Sequence, residues 1–582
     1  MRLLKGVAWT LSVYMFRVRG ELQICPLRGQ QFPAPTGLSS EALFMNATKS
    51  IEQILTANIT QSPYNDTTFS LGMFSTSDDG LLWEFHHTDS TVATSGNGTN
   101  KVDADSIYRI ASISKILTVY QWLIKDGDRK FNDPISDFIP ELVKYQVKHD
   151  YYPTPDWDEI TVNDLAMFLA GVARDYGLND VAIESLITNS IEEAAAEELA
   201  DNPDNGINVP EFDDPVCGYF TSNRTYDPCS ELRYLHKVTN LAPSFGPATT
   251  PLYSNANFAI LGIALSKMLK APLEDIFDET IVKPLGLTGT SITNPESVTG
   301  NSVIPGGDLT QAGWEDALGP LNGAAGAFST TNDLAAIGKS IMDSTLMSKA
   351  TTRRWFATTS FVDQISQAVG RGWEIFRVRN GIHTVDLYSK SGSWGVYRSV
   401  IFLIPDYNFG FTILAAAGEA YSVTETLPDL IVDTLVPVLE EIARQQTQEN
   451  FGGRYVSKTT NTSVTVTTDD WPGLKVTEYM AGNVDLIENV FALFGEDVDV
   501  RLVPNSLYKS DRKVGFTAVY QPPTEIPAED EFYWPCQSWL DVDDFTYASV
   551  PLGNMMFELG AHGKAKALKL NALNAKLVKV PN

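Results

Sequence analysis

Arg109-Ile110-Ala111-Ser112-Ile113-Ser114-Lys115-Ile116 is the stretch on which the reading of this chain turns. Ile113, Ile116, Val119, Tyr120, Leu123 and Ile124 recur at helical spacing, so it reads as the start of a helix with one buried face. Ser112 and Lys115 would then occupy neighbouring positions on that helix. A helix N-terminus presents unpaired N–H groups and a partial positive charge. A serine oxygen there can attack a carbonyl with oxyanion donors beside it. The lysine supplies positive field or, when deprotonated, a base. In isolation Ser-x-x-Lys is common by chance, and its ordinary meaning is a cap followed by a solvated charge.

Two further motifs follow it in order. Tyr253-Ser254-Asn255 lies far downstream, and Lys390-Ser391-Gly392-Ser393 ends a strand-like segment. Each alone reads as an ordinary turn. Together, the order Ser-x-x-Lys, Tyr-x-Asn, Lys-Ser-Gly resembles class C serine β-lactamases and related penicillin-recognising hydrolases and esterases. The flanks resemble that family too: Pro284-Leu285-Gly286-Leu287, Ala324 to Thr330, Gly370-Arg371-Gly372-Trp373 and Gly395 to Ser399. The resemblance covers roughly residues 40–448, and the C-terminal segment is similar to that of fungal secreted β-lactamase-like proteins.

The resemblance implies an α+β fold of the β-lactamase/transpeptidase type, with an antiparallel sheet flanked by helices and an all-helical lobe. It implies Ser112 as the nucleophile of an acyl-enzyme, Lys115 as acceptor or relay of its proton, and Tyr253 as general base. Asn255 would bond Lys115 and the substrate, and Lys390 would place positive charge near Tyr253 or a substrate carboxylate. The backbone N–H groups of Ser112 and Ser393 would form the oxyanion hole, with Ser391 and Gly392 beside the substrate. One departure stands out. Asp164 to Val172 takes the place of the family's His-Thr/Ser-Ser-Gly segment and keeps only the glycine, Gly171, and an apolar frame.

The chemistry has a rationale apart from the resemblance. A hydroxyl nucleophile must lose its proton during attack, and a phenol or ammonium can take it near neutral pH only if its pKa is pushed down. Two lysines near one phenol do that. No cofactor or metal is called for: His86, His87, His149, His236, His383 and His562 form no ligand-like pattern. The absence of a G-x-S-x-G elbow leaves an α/β-hydrolase unsupported.

At 582 residues the chain is long enough for two or more domains. A net charge of −29 disfavours nucleic acid and anionic membrane as partners. No apolar run reaches membrane-spanning length. The resemblance implies a small-molecule, peptide or ester substrate as the partner, with the oligomeric state open. Residues 1–20 resemble a signal peptide with an atypical cleavage region, Arg17-Val18-Arg19. Asn-x-Ser/Thr sites at Asn46, Asn58, Asn65, Asn97, Asn223 and Asn461 fit a secreted glycoprotein. Cys217 and Cys229 are placed for a local disulfide, and Cys25 and Cys536 for a second that ties the chain ends; in a reducing compartment all would be free thiols.

The expected organisation is a signal segment (1–20), an irregular extension (21–40), a catalytic domain (41–448) and a β-rich C-terminal domain (451–582), the last a small sandwich or barrel. Strands are expected at 69–74, 81–85, 373–378, 383–389, 398–404 and 410–416, with helices at 41–57 and 425–446. Between early and late strands lies a largely helical middle. Within it, 178–246 reads as an acidic insertion or lid, and its most acidic run, 190–214, as a solvated surface excursion. Function then narrows to three readings: an ester or amide hydrolase, an acyltransferase of the same fold making a natural product, or a non-catalytic secreted binding protein.

Overall fold

The computed structural model describes residues 26–148, 152–178, 217–295, 297–494, 498–508, 510, 512–521 and 537–581. They divide into two compact units. The first comprises Ala34–Asn380 and Thr384–Ala443. The second gathers Arg444–Asn582 with Gly381–His383 and the chain before Ala34.

The first unit is built on an eight-stranded sheet. Its strands are β1 (Thr68–Ser75), β2 (Trp83–His87), β5 (Thr359–Phe361), β6 (Gln367–Gly370), β7 (Glu374–Asn380), β8 (His383–Trp394), β9 (Tyr397–Ile404) and β10 (Phe409–Ala416). A separate pair, β3 (Tyr108–Ala111) and β4 (Ala327–Ser329), stands apart from it. The spatial order β2-β1-β10-β9-β8-β7-β6-β5 brings the two ends of the unit together at the β1–β10 pairing.

Period-two alternation assigns the faces. Val400, Phe402, Phe411 and Ile413 face one core, against Phe44, Ile51 and Leu55 of helix α1 (Ala42–Asn58) and Val423, Leu427 and Ile431 of helix α5 (Ala420–Phe451). Their neighbours Ile401, Leu403 and Leu414 face the other core, with α2 (Ser114–Asp126), α3 (Asn255–Leu269) and α4 (Thr331–Asp343). Each of these apolar side chains contributes about 1.5–3 kcal/mol on burial.

Arg109–Ala111 does not open a helix, contrary to the sequence reading; it is strand β3, and α2 begins at Ser114. Helical spacing starts only after the serine. Upstream, tertiary bonds take over: the wholly buried Arg109 donates Nη1 to the Gly313 carbonyl (2.6 Å) and Nη2 to the Asp316 carbonyl (2.8 Å). Those bonds, with the β4 pairing, hold the segment extended. Helix α5 is longer than expected and carries Pro428 and Pro437 within it.

Cys217 and Cys229 form a disulfide. It closes a small hairpin, Tyr219–Phe220 with Tyr226–Asp227. The described part of the 178–246 segment is anchored in the core, where Tyr226, Tyr234, Leu235 and Val238 are buried. The acidic run 190–214, the leader 1–20, Cys25 and Cys536 lie outside the described residues.

The second unit is a closed all-β barrel. Its strands, in spatial order, are Thr462–Thr467, Gly453–Ser457, Ala575–Lys579, Ala565–Leu570, Asn554–Leu559, Lys513–Gln521, Asp499–Pro504 and Leu474–Ala481. Pairing of Thr462–Thr467 with Leu474–Ala481 completes the ring. Tyr455, Val464, Leu502, Phe516, Phe557 and Leu568 fill it.

Candidate active site

Ser112 sits in the turn between β3 and α2. Ala111 takes φ of 46°, a left-handed conformation that side-chain-bearing residues adopt at a cost, and this turns the chain sharply at the serine. Lys115 follows in the first turn of α2, its backbone N–H donating to the Ser112 carbonyl at 3.1 Å. Its Nζ is wholly buried and donates to Ser112 Oγ (2.9 Å), Asn255 Oδ1 (2.7 Å) and the Ala324 carbonyl (3.0 Å). The Tyr253 hydroxyl donates to the same Oγ at 2.9 Å. Among described residues the Ser112 backbone N–H has no acceptor, which leaves it available to an oxyanion.

Tyr253 precedes the N-terminus of α3, where the Ser254 hydroxyl accepts from the Asn257 N–H and caps the helix. Its ring stacks on Phe168, with centroids 5.5 Å apart, and three cations surround it: Lys115, Lys390 and Arg174, each about 5 Å from the centroid. Burial by itself pushes the phenol pKa up. The fields of Lys115 and Lys390 outweigh burial and bring it down to about 8. Lys115 is driven below the ordinary lysine value, first by burial and then by Lys390, with Tyr253 opposing. Lys390 is opposed by burial too, but the charge of Glu374 holds it above the ordinary value.

Lys390 to Ser393 lie on β8, which pairs with β9 through Lys390–Ile401, Ser391–Val400, Gly392–Ser399 and Ser393–Arg398. The strand lies close to the serine turn. Ser399 Oγ donates to the Ile110 carbonyl at 2.8 Å, and a Cβ on Gly392 would come within 2.1 Å of that same oxygen. Only glycine lets the β8 backbone approach this near. Lys390 Nζ is bonded to Glu374, whose other oxygen accepts from the Ser391 N–H and hydroxyl, both at 2.9 Å.

Ser112, Lys115, Tyr253, Asn255 and Lys390 thus converge; Ser112, Tyr253, Asn255, Ser391, Gly392 and Ser393 line a cavity of about 720 Å³, and the two lysines are buried. Sequence reasoning missed Glu374, which follows the quoted Gly370–Trp373 run, and Asp175, just beyond Gly171. It also missed Arg398 and Phe220, which line the cavity. No cluster of metal-ligating side chains occurs among the described residues.

Residues 79–435 match the family model described as "Beta-lactamase". The chain belongs to the β-lactamase family of serine hydrolases. A second model, "Beta-lactamase-like-like, C-terminal domain", matches residues 443–581. This β-lactamase relative is 26% identical to the "Beta-lactamase-like protein" of Arthroderma benhamiae, with 92% of each chain covered. It is 23% identical to the "Probable hydrolase M10" of a Phoma species, covering 95% of this chain and 90% of that one. Among solved structures, "A class C beta-lactamase" aligns with 68% of this chain and 96% of that one, at 13% identity and a TM-score of 0.45. No single helix among the described residues is long and apolar enough to cross a membrane.

Proposed function

We propose that the protein hydrolyses an ester or amide through an acyl-Ser112 intermediate. The observation that carries this is the pair of 2.9 Å contacts made to Ser112 Oγ by Lys115 Nζ and the Tyr253 hydroxyl. In this reading Oγ attacks the substrate carbonyl carbon, and its one proton passes to the ionised Tyr253 oxygen, with Lys115 as the relay. The Ser112 and Ser393 N–H groups hold the oxyanion. Collapse expels the alcohol or amine, which takes the proton back. Water then repeats the sequence on the acyl-enzyme and releases the acid. Lys390, neutralised in part by Glu374, acts through its field on Tyr253 and is wholly buried itself.

The family scaffold hosts several acyl-transfer chemistries, so the substrate is read from the site and not from the fold. A panel of p-nitrophenyl esters and anilides tests the reaction. Turnover that vanishes in Ser112→Ala supports it, whereas turnover retained by that variant removes it. Adding an alcohol acceptor separates hydrolysis from transfer, and the free acid is the expected main product. We propose also that the protein is exported, which is supported by the Cys217–Cys229 disulfide, a bond that persists in oxidising compartments.

A further inference from the structure

We propose that Asp175 is a positioning residue for the reaction: its carboxylate fixes the Asn255 amide, and through it the Lys115 ammonium, against Ser112. This rests on the acyl-Ser112 reading above.

The geometry leaves Asn255 one orientation. Its Nδ2 donates to both Asp175 oxygens, at 2.9 and 3.0 Å, and its Oδ1 accepts from Lys115 at 2.7 Å. A carboxylate only accepts and an ammonium only donates, so the amide cannot be turned over without breaking both contacts. A chain therefore runs from carboxylate to amide to ammonium to Ser112 Oγ. Each bond in such a chain polarises the next.

The Asp175 backbone is held as firmly as its side chain. The Arg174 carbonyl accepts from the Asn255 and Ala256 N–H groups (2.9 and 3.1 Å), and Ser254 Oγ donates to the Ala173 carbonyl (2.9 Å). The segment is thus tied to the very helix start that carries Asn255. At its two ends Gly171 and Gly177 are pressed against backbone: a Cβ would meet the Phe245 carbonyl at 2.1 Å and the Gly218 carbonyl at 2.4 Å. Gly218 adjoins Cys217, so the disulfide hairpin backs the segment.

The Asp175 side chain is 4% exposed, yet it lines the cavity that holds Ser112. The groups that face it are Arg174, with Nε 3.4 Å away, Asn255, Lys115, Tyr226 and Tyr234. Tyr253 and Lys390 also act on Lys115, and Glu374 acts on Tyr253 in turn. Burial raises the Asp175 pKa, with Asn255, Lys115 and Arg174 opposing, and the Asp175 charge in turn favours protonated Lys115. Removing that charge makes the basic groups on Ser112 easier to deprotonate, so the alkaline rise in Ser112 reactivity moves to lower pH.

Two substitutions separate the contact from the charge. Asp175→Asn keeps an acceptor for Asn255 and removes only the charge. Asp175→Ala removes both. The readout is the rate of labelling by a fluorophosphonate as a function of pH, with the fold of each variant checked by circular dichroism. The midpoint of the pH profile is expected to fall in Asp175→Asn, with the plateau largely kept. In Asp175→Ala the plateau is expected to drop by about tenfold to a hundredfold, the loss of one charge-assisted hydrogen bond. In an Asn255→Ala background the Asp175→Ala drop should disappear, because the route to Lys115 is already cut. An unshifted midpoint in folded Asp175→Asn, or a plateau loss undiminished without Asn255, overturns the proposal. Label appearing on Ser112→Ala would instead overturn the acyl-Ser112 reading itself.

Discussion

At the residue scale, the decisive quantity is the basicity of the groups on Ser112. Tyr253 titrates near pH 8 because two ammonium fields outweigh the effect of its burial. If its ionised form takes the serine proton, kcat/KM rises with pH through a midpoint near 8 and levels above it. Lys390→Ala removes one of the two fields, so the midpoint should move up toward the ordinary phenol value; a pH–rate profile on a p-nitrophenyl ester measures it. Tyr253→Phe keeps the ring on Phe168 and deletes the proton acceptor. It should lower kcat/KM by about 10²–10⁴, the usual worth of a general base. Wild-type rates in Tyr253→Phe would transfer the role to Lys115.

At the element scale, the close approach of β8 to the β3–α2 turn sets the geometry. Gly392→Ala would force apart the strand and the Ile110 carbonyl, which a Cβ would meet at 2.1 Å. Labelling of Ser112 should collapse while near-ultraviolet circular dichroism shows a folded protein. Glu374→Ala would leave the buried Lys390 ammonium unpaired, and unfolding in urea should report a loss of about 3–5 kcal/mol.

The same elements show what the sequence makes legible. Strands β1, β2 and β7 to β10 announce themselves as short runs rich in apolar and aromatic residues, bounded by turns such as Asn380-Gly381. The three motifs can be read because each is a short run of chemically unusual neighbours. Strand β3 could not be read, because what holds it extended is Arg109 reaching carbonyls in a distant loop. Asp175 and Glu374 are single carboxylates among 72 acidic residues, and neither carries a local pattern that distinguishes it. Their roles exist only once the chain has folded around Asn255 and Lys390.

At the scale of the whole molecule, a covalent staple backs the cavity wall. Phe220, on the Cys217–Cys229 hairpin, lines the cavity and packs on Trp394, centroids 5.5 Å apart. Reducing that disulfide removes a constraint worth about 2–4 kcal/mol. Calorimetry with and without reductant should show a lower Tm. Loosening of the Phe220 wall should appear as a higher KM for bulky acyl donors, with short acetyl esters little affected.

The most direct test of the whole account is intact-mass and peptide mass spectrometry after brief exposure to a penicillin or a fluorophosphonate. One adduct per chain, mapped to Ser112 and absent from Ser112→Ala, is the predicted result. No adduct, or an adduct that persists in Ser112→Ala, would contradict it.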